Sequence, residues 1–278
     1  MAGELRHGSQ RTGFKDFQEY PAAFLFSRIV KILANSIKIF CIFHSFLFPR
    51  FRCEIPARSA PLIKSKRQKT IPRIVWQTNY TNKVSLAVYI ANRFNRLLAP
   101  TYEFRFMTND QGKAYVSENF EPHIAETLEN LQIGAAVADY WRILVLLRNG
   151  GVYLDIDANL VWPLERTLSS KATELLLIDR NGCATNSFLA SAPNNSFFAA
   201  LENKVRSNIV ENSVSDVFEM TGPAAMWPVL EKFDLEYRPY RTVSHQGQFT
   251  NPKLQYPDKG RGKWWEEQKN TAIVKDRY

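Results

Sequence analysis

Cysteine is scarce in this sequence. Its three cysteines (Cys41, Cys53 and Cys183) are scattered and odd in number. That excludes a disulfide-framed fold, and their spacing excludes a structural zinc site, so a reducing compartment fits best. Glycine, at 12 of 278 residues, is too sparse for a collagen-like chain. There is no internal repeat, little low-complexity sequence, and no succession of long apolar runs of the kind a polytopic membrane protein needs. What is present is 45% hydrophobic and 23% charged residues, close to soluble globular averages. Aromatics at 13% can supply a large core.

Acidic residues are short in one place only. Residues 1–73 hold 14 Lys+Arg against 4 Asp+Glu, whereas residues 74–278 hold 22 against 23. The body is therefore near neutral, and the N-terminal extension carries the whole excess of the net +9. A nucleic-acid-binding protein usually places such charge on its folded domain. Here it flanks an apolar segment, which points to an anionic membrane surface and away from nucleic acid.

That segment, residues 22–48, repeats Arg28, Lys31, Asn35, Lys38 and Ser45 at spacings that make one polar stripe on a helix. A spanning window over 29–48 would bury Lys38 near its centre, at roughly 2.5–3.5 kcal/mol. Lying in the interface removes that cost. The expectation is a peripheral amphipathic helix at the cytoplasmic face. A single span and a core helix are the alternatives, and a secretory signal is disfavoured because no small-residue cleavage site follows. Residues 49–70, proline-spaced and basic, read as a linker along the membrane surface. The expected division is thus 1–70 for the membrane-associating segment and linker, and 71–278 for the catalytic domain.

From residue 71 the texture alternates. IPRIVWQT (71–78), YEFRFMT (102–108), VYLDID (152–157) and ELLLID (174–179) read as strands. Residues 84–98, 121–131, 135–148 and 195–210 read as helices, with Asn109 and Asp110 as candidate caps of another. The alternation implies an α/β domain with a mostly parallel sheet.

The chemistry concentrates in 136–160. Asp155 and Asp157 flank one residue, and on a strand end they would face one side. Two carboxylates in a small volume resist joint ionisation. An oxygen-liganded Mn²⁺ or Mg²⁺ resolves that conflict, with diphosphate oxygens and water completing its shell. An isolated Asp-x-Asp is more often a solvated loop, but this pair follows an apolar strand preceded by Gly150-Gly151. Upstream, Asp139 and Arg142 share a helix face. They are an ordinary ion pair or, in so apolar a helix, groups that grip sugar hydroxyls.

The pattern Asp139-x-x-Arg142 followed by Gly150-Gly151-x-Tyr153-x-Asp155-x-Asp157 resembles the DXD-containing glycosyltransferases of the Och1-like and capsule-type family 32. IPRIVWQT resembles that family's first strand, NSFLASAPNNSFF (186–198) a later stretch, and TGP (221–223) the turn after it. The resemblance covers about residues 70–230. It implies a GT-A-type, Rossmann-like α/β fold with helical additions, and a retaining hexosyltransferase that uses a nucleotide sugar (UDP- or GDP-linked) and Mn²⁺ or Mg²⁺. It implies Asp155 and Asp157 as metal and catalytic carboxylates. Asp139, Arg142 and Asn186 would hold the donor sugar, and Trp76 and Gln77 would meet the nucleotide. For Trp76 a core position, and for Asn186 a turn position, are equally open. The acceptor is expected to be a glycan or lipid-linked hydroxyl in capsule or lipopolysaccharide assembly. The C-terminal part departs from the family: His245 lies well before Trp264, with no Ser-Trp. Two other functions compete. A non-catalytic sugar-binding module is disfavoured by the intact acidic and basic residues. An Asp-nucleophile phosphotransferase needs Thr or Val where Asn159 stands.

Overall fold

The computed structural model describes residues 13–259 and 264–275. Two helices come first, α1 (Gly13–Glu19) and α2 (Pro21–Leu47), then two short strands, β1 (Cys53–Glu54) and β2 (Arg58–Ser59). An alternating stretch follows: β3 (Ile74–Asn79), β4 (Lys83–Val84), α3 (Leu86–Leu98), β5 (Glu103–Thr108), α4 (Asn109–Asn119), α5 (Pro122–Glu129), α6 (Gly134–Asn149), β6 (Gly151–Leu154) and β7 (Ala158–Leu160). The rest comprises α7 (Leu164–Thr167), β8 (Glu174–Ile178), β9 (Ala184–Ser191), α8 (Ser196–Glu211), α9 (Val217–Met220), α10 (Pro223–Leu230), β10 (Tyr237–Pro239), β11 (Ser244–Gln246), α11 (Pro252–Gln255) and α12 (Trp264–Glu267).

Seven strands form the central sheet in the order β10-β8-β9-β6-β3-β5-β2. Five of them run one way; β9 and β2 run antiparallel to their neighbours. This is the mostly parallel α/β sheet expected from the alternation of elements. The strands alternate between two apolar layers, as a sheet covered on both faces must. Trp76, Tyr153, Leu176 and Leu189 pack under α6 and α8. Val75, Val152, Leu175, Leu177 and Phe188 pack on the other side with Leu160 and Leu164.

The turn into β6 needs its two glycines. Gly150 has φ +64° and Gly151 φ +106°. A Cβ on Gly151 would stand 2.7 Å from the Ile74 carbonyl oxygen, and one on Gly150 would stand 2.7 Å from the Pro193 nitrogen. Only glycine lets α6 stop and β6 start this close to β3. The cap of α4 is Thr108, one residue before the expected Asn109: its hydroxyl accepts from the Gln111 N–H while the Gln111 side chain accepts from the Thr108 N–H. A reciprocal box satisfies two end donors, which a single Asn does not.

Residues 49–70 differ from the expected linker. β1 pairs with β4, and β2 adds an antiparallel edge to the central sheet. Lys69 reaches the Glu165 carboxylate at 2.8 Å. Pro56 lies between the two strands and Pro61 follows the second. α2 packs one narrow face on the body, through Ala34 against Ala91 and Phe249 and through Cys41 against Ala87 and Leu254.

Candidate active site

A cleft of about 670 Å³ opens past the C-terminal ends of the parallel strands β3, β5 and β6. In open α/β sheets this is where ligands bind. Asp155 and Asp157 stand at its floor, with Asp139, Arg142 and Asn186 on one wall.

The local fold brings these groups together. On β6, Tyr153 points toward α6, and its hydroxyl donates to Asp155 Oδ1 at 2.8 Å. Asp155 and Asp157 were expected on the strand end; β6 instead stops at Leu154, and they lie in a turn closed by the Ala158 N–H on the Asp155 carbonyl at 3.0 Å. The turn, rather than strand alternation, makes the carboxylates converge. Gln246 marks that convergence. Its amide nitrogen donates to Asp155 Oδ2 at 2.8 Å and to Asp157 Oδ1 at 3.4 Å. β11 pairs antiparallel with β7, with Gln246 opposite Ala158, and this pairing delivers the amide.

Arg142 is the hub of the wall. One guanidinium nitrogen lies 2.9 Å from Asp139 Oδ1 and 3.4 Å from Asp155 Oδ1. The other donates to the Asn186 carbonyl at 2.6 Å, and the plane lies 4.3 Å from the Tyr153 ring centroid. A planar fork with fixed donor directions suits this multiple role. Asp139 also accepts from the Asn186 amide at 2.8 Å and from the Thr221 hydroxyl at 3.2 Å.

Burial sets the charge state of the carboxylates. It pushes Asp139 up to about 7, against the pull of the Arg142 guanidinium. It likewise pushes Asp157 up to about 7, and the adjacent Asp155 charge adds to the rise. Asp155 is raised as well, by burial opposed by Arg142 and by the Tyr153 hydrogen bond. Two carboxylates made reluctant to ionise together are a site short of positive charge. The carboxylate oxygens they offer suit a hard divalent cation. Among the described residues no third His, Cys, Asp or Glu joins the pair. The remaining positions of such an ion would fall to water and diphosphate oxygens.

Trp76 and Gln77 are not brought to the cleft. Trp76 is fully buried, packs edge-on against Trp141, and donates its indole N–H to the Gly150 carbonyl at 2.9 Å. It is a core residue that fixes the glycine turn. Gln77 is buried too; its side chain takes a hydrogen bond from Asn92 at 2.8 Å. The strand end beyond them, Thr78 to Tyr80, lines the cleft instead, with Tyr256, Lys259 and Trp264. Sequence reading also missed Gln246 and Lys38, which carry no motif. His245, one residue from Gln246, points the other way: its ring lies 4.8 Å from that of Tyr240.

Residues 76–174 match the family described as "Glycosyltransferase sugar-binding region containing DXD motif". Over this stretch, about a third of its length, the chain is similar to that sugar-binding region. It is 33% identical over 91 residues to an initiation-specific alpha-1,6-mannosyltransferase of Schizosaccharomyces pombe, covering 31% of this chain and 23% of that protein. It is 32% identical over 89 residues to an uncharacterised glycosyltransferase of Acanthamoeba polyphaga mimivirus, covering 31% of this chain and 36% of that protein. The matched part thus spans well under half the length of either relative. Among solved structures, a "PaToxG Glycosyltransferase" superposes with a TM-score of 0.47 at 16% identity, over 75% of this chain and 80% of that one.

Proposed function

We propose that the chain transfers a hexosyl group from a UDP- or GDP-linked sugar to an acceptor hydroxyl, with Mn²⁺ or Mg²⁺ held by Asp157 and Asp155. The observation that carries this reading is the meeting of Asp139, Arg142 and Asn186 with the two carboxylates in one cleft. When bound, the cation neutralises charge on the leaving diphosphate. Asp155 and Asp157 would hold it, and its charge would keep them ionised. Asp139 accepts from sugar hydroxyls while Arg142 and the Asn186 amide, already aligned, fix the direction of that carboxylate. The family resemblance favours retention at the anomeric carbon, the acceptor attacking the face the diphosphate leaves.

The acceptor is a glycan or lipid-linked hydroxyl, and the setting is surface polysaccharide assembly at the cytoplasmic face of a membrane. α2 supports the membrane part. Among the described residues it is the one helix long and apolar enough to cross a bilayer. We place it in the interface, because its polar stripe and its packing on the body suit a helix lying flat.

Release of UDP or GDP from a panel of sugar nucleotides with Mn²⁺ present tests the reading. Asp157→Ala should lower the rate at least about a hundredfold, and EDTA should mimic it, with the melting temperature unchanged or raised. A D157A protein turning over at the wild-type rate would sink the assignment.

A further inference from the structure

β7 has a strand neighbour on one edge only. It belongs to a two-stranded sheet, and among the described residues β11 alone pairs with it. Toward β11 it presents the backbone of odd-numbered residues: the Gly247 N–H donates to the Asp157 carbonyl, and the Val161 N–H donates to the Val243 carbonyl. The Ala158 carbonyl and the Leu160 N–H therefore point the other way. Both residues are fully buried, and buried backbone groups are costly to leave unpaired.

One side chain fills both positions. Asn95 of α3 is fully buried. Its amide nitrogen donates to the Ala158 carbonyl at 2.9 Å, and its amide oxygen accepts from the Leu160 N–H at 2.8 Å. A primary amide offers a donor and an acceptor on one edge, as a neighbouring strand would. Asparagine is a weak helix former, and a buried amide is unfavourable unless its bonds are made. What Asn95 holds lies outside its own helix: the strand directly after Asp157. α3 also reaches the other end of the turn. Asn92, three residues earlier and so on the same face, is buried and donates to Gln77 Oε1 at 2.8 Å. The Gln77 amide nitrogen in turn reaches the Asp155 carbonyl at 3.5 Å. The backbone is thus held before and after the two carboxylates, and none of Asn92, Asn95 and Gln77 lines the cleft.

We propose that Asn95, assisted by Asn92 through Gln77, is a positioning residue that presets the separation of the Asp155 and Asp157 carboxylates for a divalent cation. The proposal rests on the metal-dependent transferase reading above. Asn95 touches neither substrate nor cation. It fixes the place of β7, and β7 fixes the turn and, through β11, the Gln246 amide that bridges the carboxylates. Carboxylates already set at the right separation lose less freedom when a cation joins them. Removing a group that orients metal ligands weakens metal binding about ten- to a hundredfold.

The test is Mn²⁺ binding to the full chain with UDP or GDP, read from the electron paramagnetic resonance of free Mn²⁺ against a blank of nucleotide alone. Each variant is measured at a temperature where circular dichroism shows it folded. Asn95→Ala should raise the Mn²⁺ dissociation constant at least about tenfold. It should shift the Mn²⁺ needed for half-maximal nucleotide release by the same factor, with excess Mn²⁺ recovering most of the rate. Asn195→Ala is the control. It removes the side-chain cap of α8, which does not hold the turn, so it should lower the melting temperature and leave the Mn²⁺ constant as it was. Should N95A fail to fold, Asn92→Ala makes the same test on the upstream arm, with looser Mn²⁺ expected. Mn²⁺ held by the variant as tightly as by the wild type, or loosened equally in N195A, makes Asn95 a residue of the fold alone and overturns the proposal while the transferase reading stands. A wild-type chain that binds no Mn²⁺ with either nucleotide removes both.

Discussion

Arg142 shows how much one side chain can hold. It touches Asp139, Asp155, the Asn186 carbonyl and the Tyr153 ring, with its side chain 6% exposed. Lysine keeps the charge but has no planar fork, so Arg142→Lys cannot serve these directions together. Some of the buried acceptors then lose their partner, at about 1–3 kcal/mol each. The expected outcome is a fall in kcat/KM for the donor of at least about a hundredfold and a lower melting temperature, read by nucleotide release and calorimetry. R142K with unchanged donor kinetics would show that the guanidinium serves the fold alone. At this scale the sequence was informative where spacing is local. Asp139 and Arg142 are one helical turn apart, and Asp155 and Asp157 are two residues apart, so their proximity follows from chain geometry. Gln246 was invisible because it lies 91 residues from Asp155, and only the β7–β11 pairing brings it close. Trp76 was ambiguous because the strand was expected to end at Thr78; β3 runs on to Asn79, which leaves Trp76 at its centre, over the Gly150 turn.

Elements were legible where periodicity is long. The helices at 84–98, 135–148 and 195–210 correspond to α3, α6 and α8, and the four expected strands to β3, β5, β6 and β8. β9 was read only as a motif stretch, since no local signal tells an antiparallel insert from a loop. The short pairings of 53–59 were hidden for a similar reason: two-residue strands have no period. α2 was legible as a polar stripe, but which apolar side faces the body depends on tertiary contacts. Those contacts make a clean prediction possible. Ile32 and Phe43 are exposed and on the sector opposite Ala34. Replacing both with Glu removes roughly 1.5–3 kcal/mol of apolar burial per side chain on docking and adds repulsion from anionic lipid. Flotation with anionic vesicles should fall at least about tenfold, with the melting temperature unchanged. Equal flotation of the doubly substituted chain would remove α2 from the membrane contact.

For the whole molecule, two buried or half-buried groups tie the N-terminal region to the body, and both respond to acid. Burial alone would raise Glu165, but hydrogen bonds from Arg73, Lys69 and Thr101 hold it down to about 2. A carboxylate whose folded pKa is depressed stabilises above its unfolded value, here 4.5, and loses that contribution as pH falls toward 2. With solvent screening, its share is on the order of 1 kcal/mol. His245 acts earlier. Burial lowers it to about 4, helped by Arg28 and Lys31 on α2 and by Arg241, which itself pairs with Asp16 of α1. A folded imidazole kept neutral loses stability as pH drops below 6.5, because the unfolded chain takes up a proton that the folded one refuses. The loss amounts to roughly 3 kcal/mol by pH 4. Since α2 supplies two of the cations facing the ring, protonation works against the docking of α2 itself. Two losses are therefore expected, a first stage from about pH 6.5 to 4 carried by His245 and a second below 4.5 carried by Glu165, set against the stability that Asp139 and Asp157, both raised to about 7, gain by protonation over the first range. His245→Gln should flatten the first stage and leave the second, whereas Glu165→Gln should lower stability at pH 7 and flatten only the second. A first stage that survives in H245Q would assign the early acid response to another group.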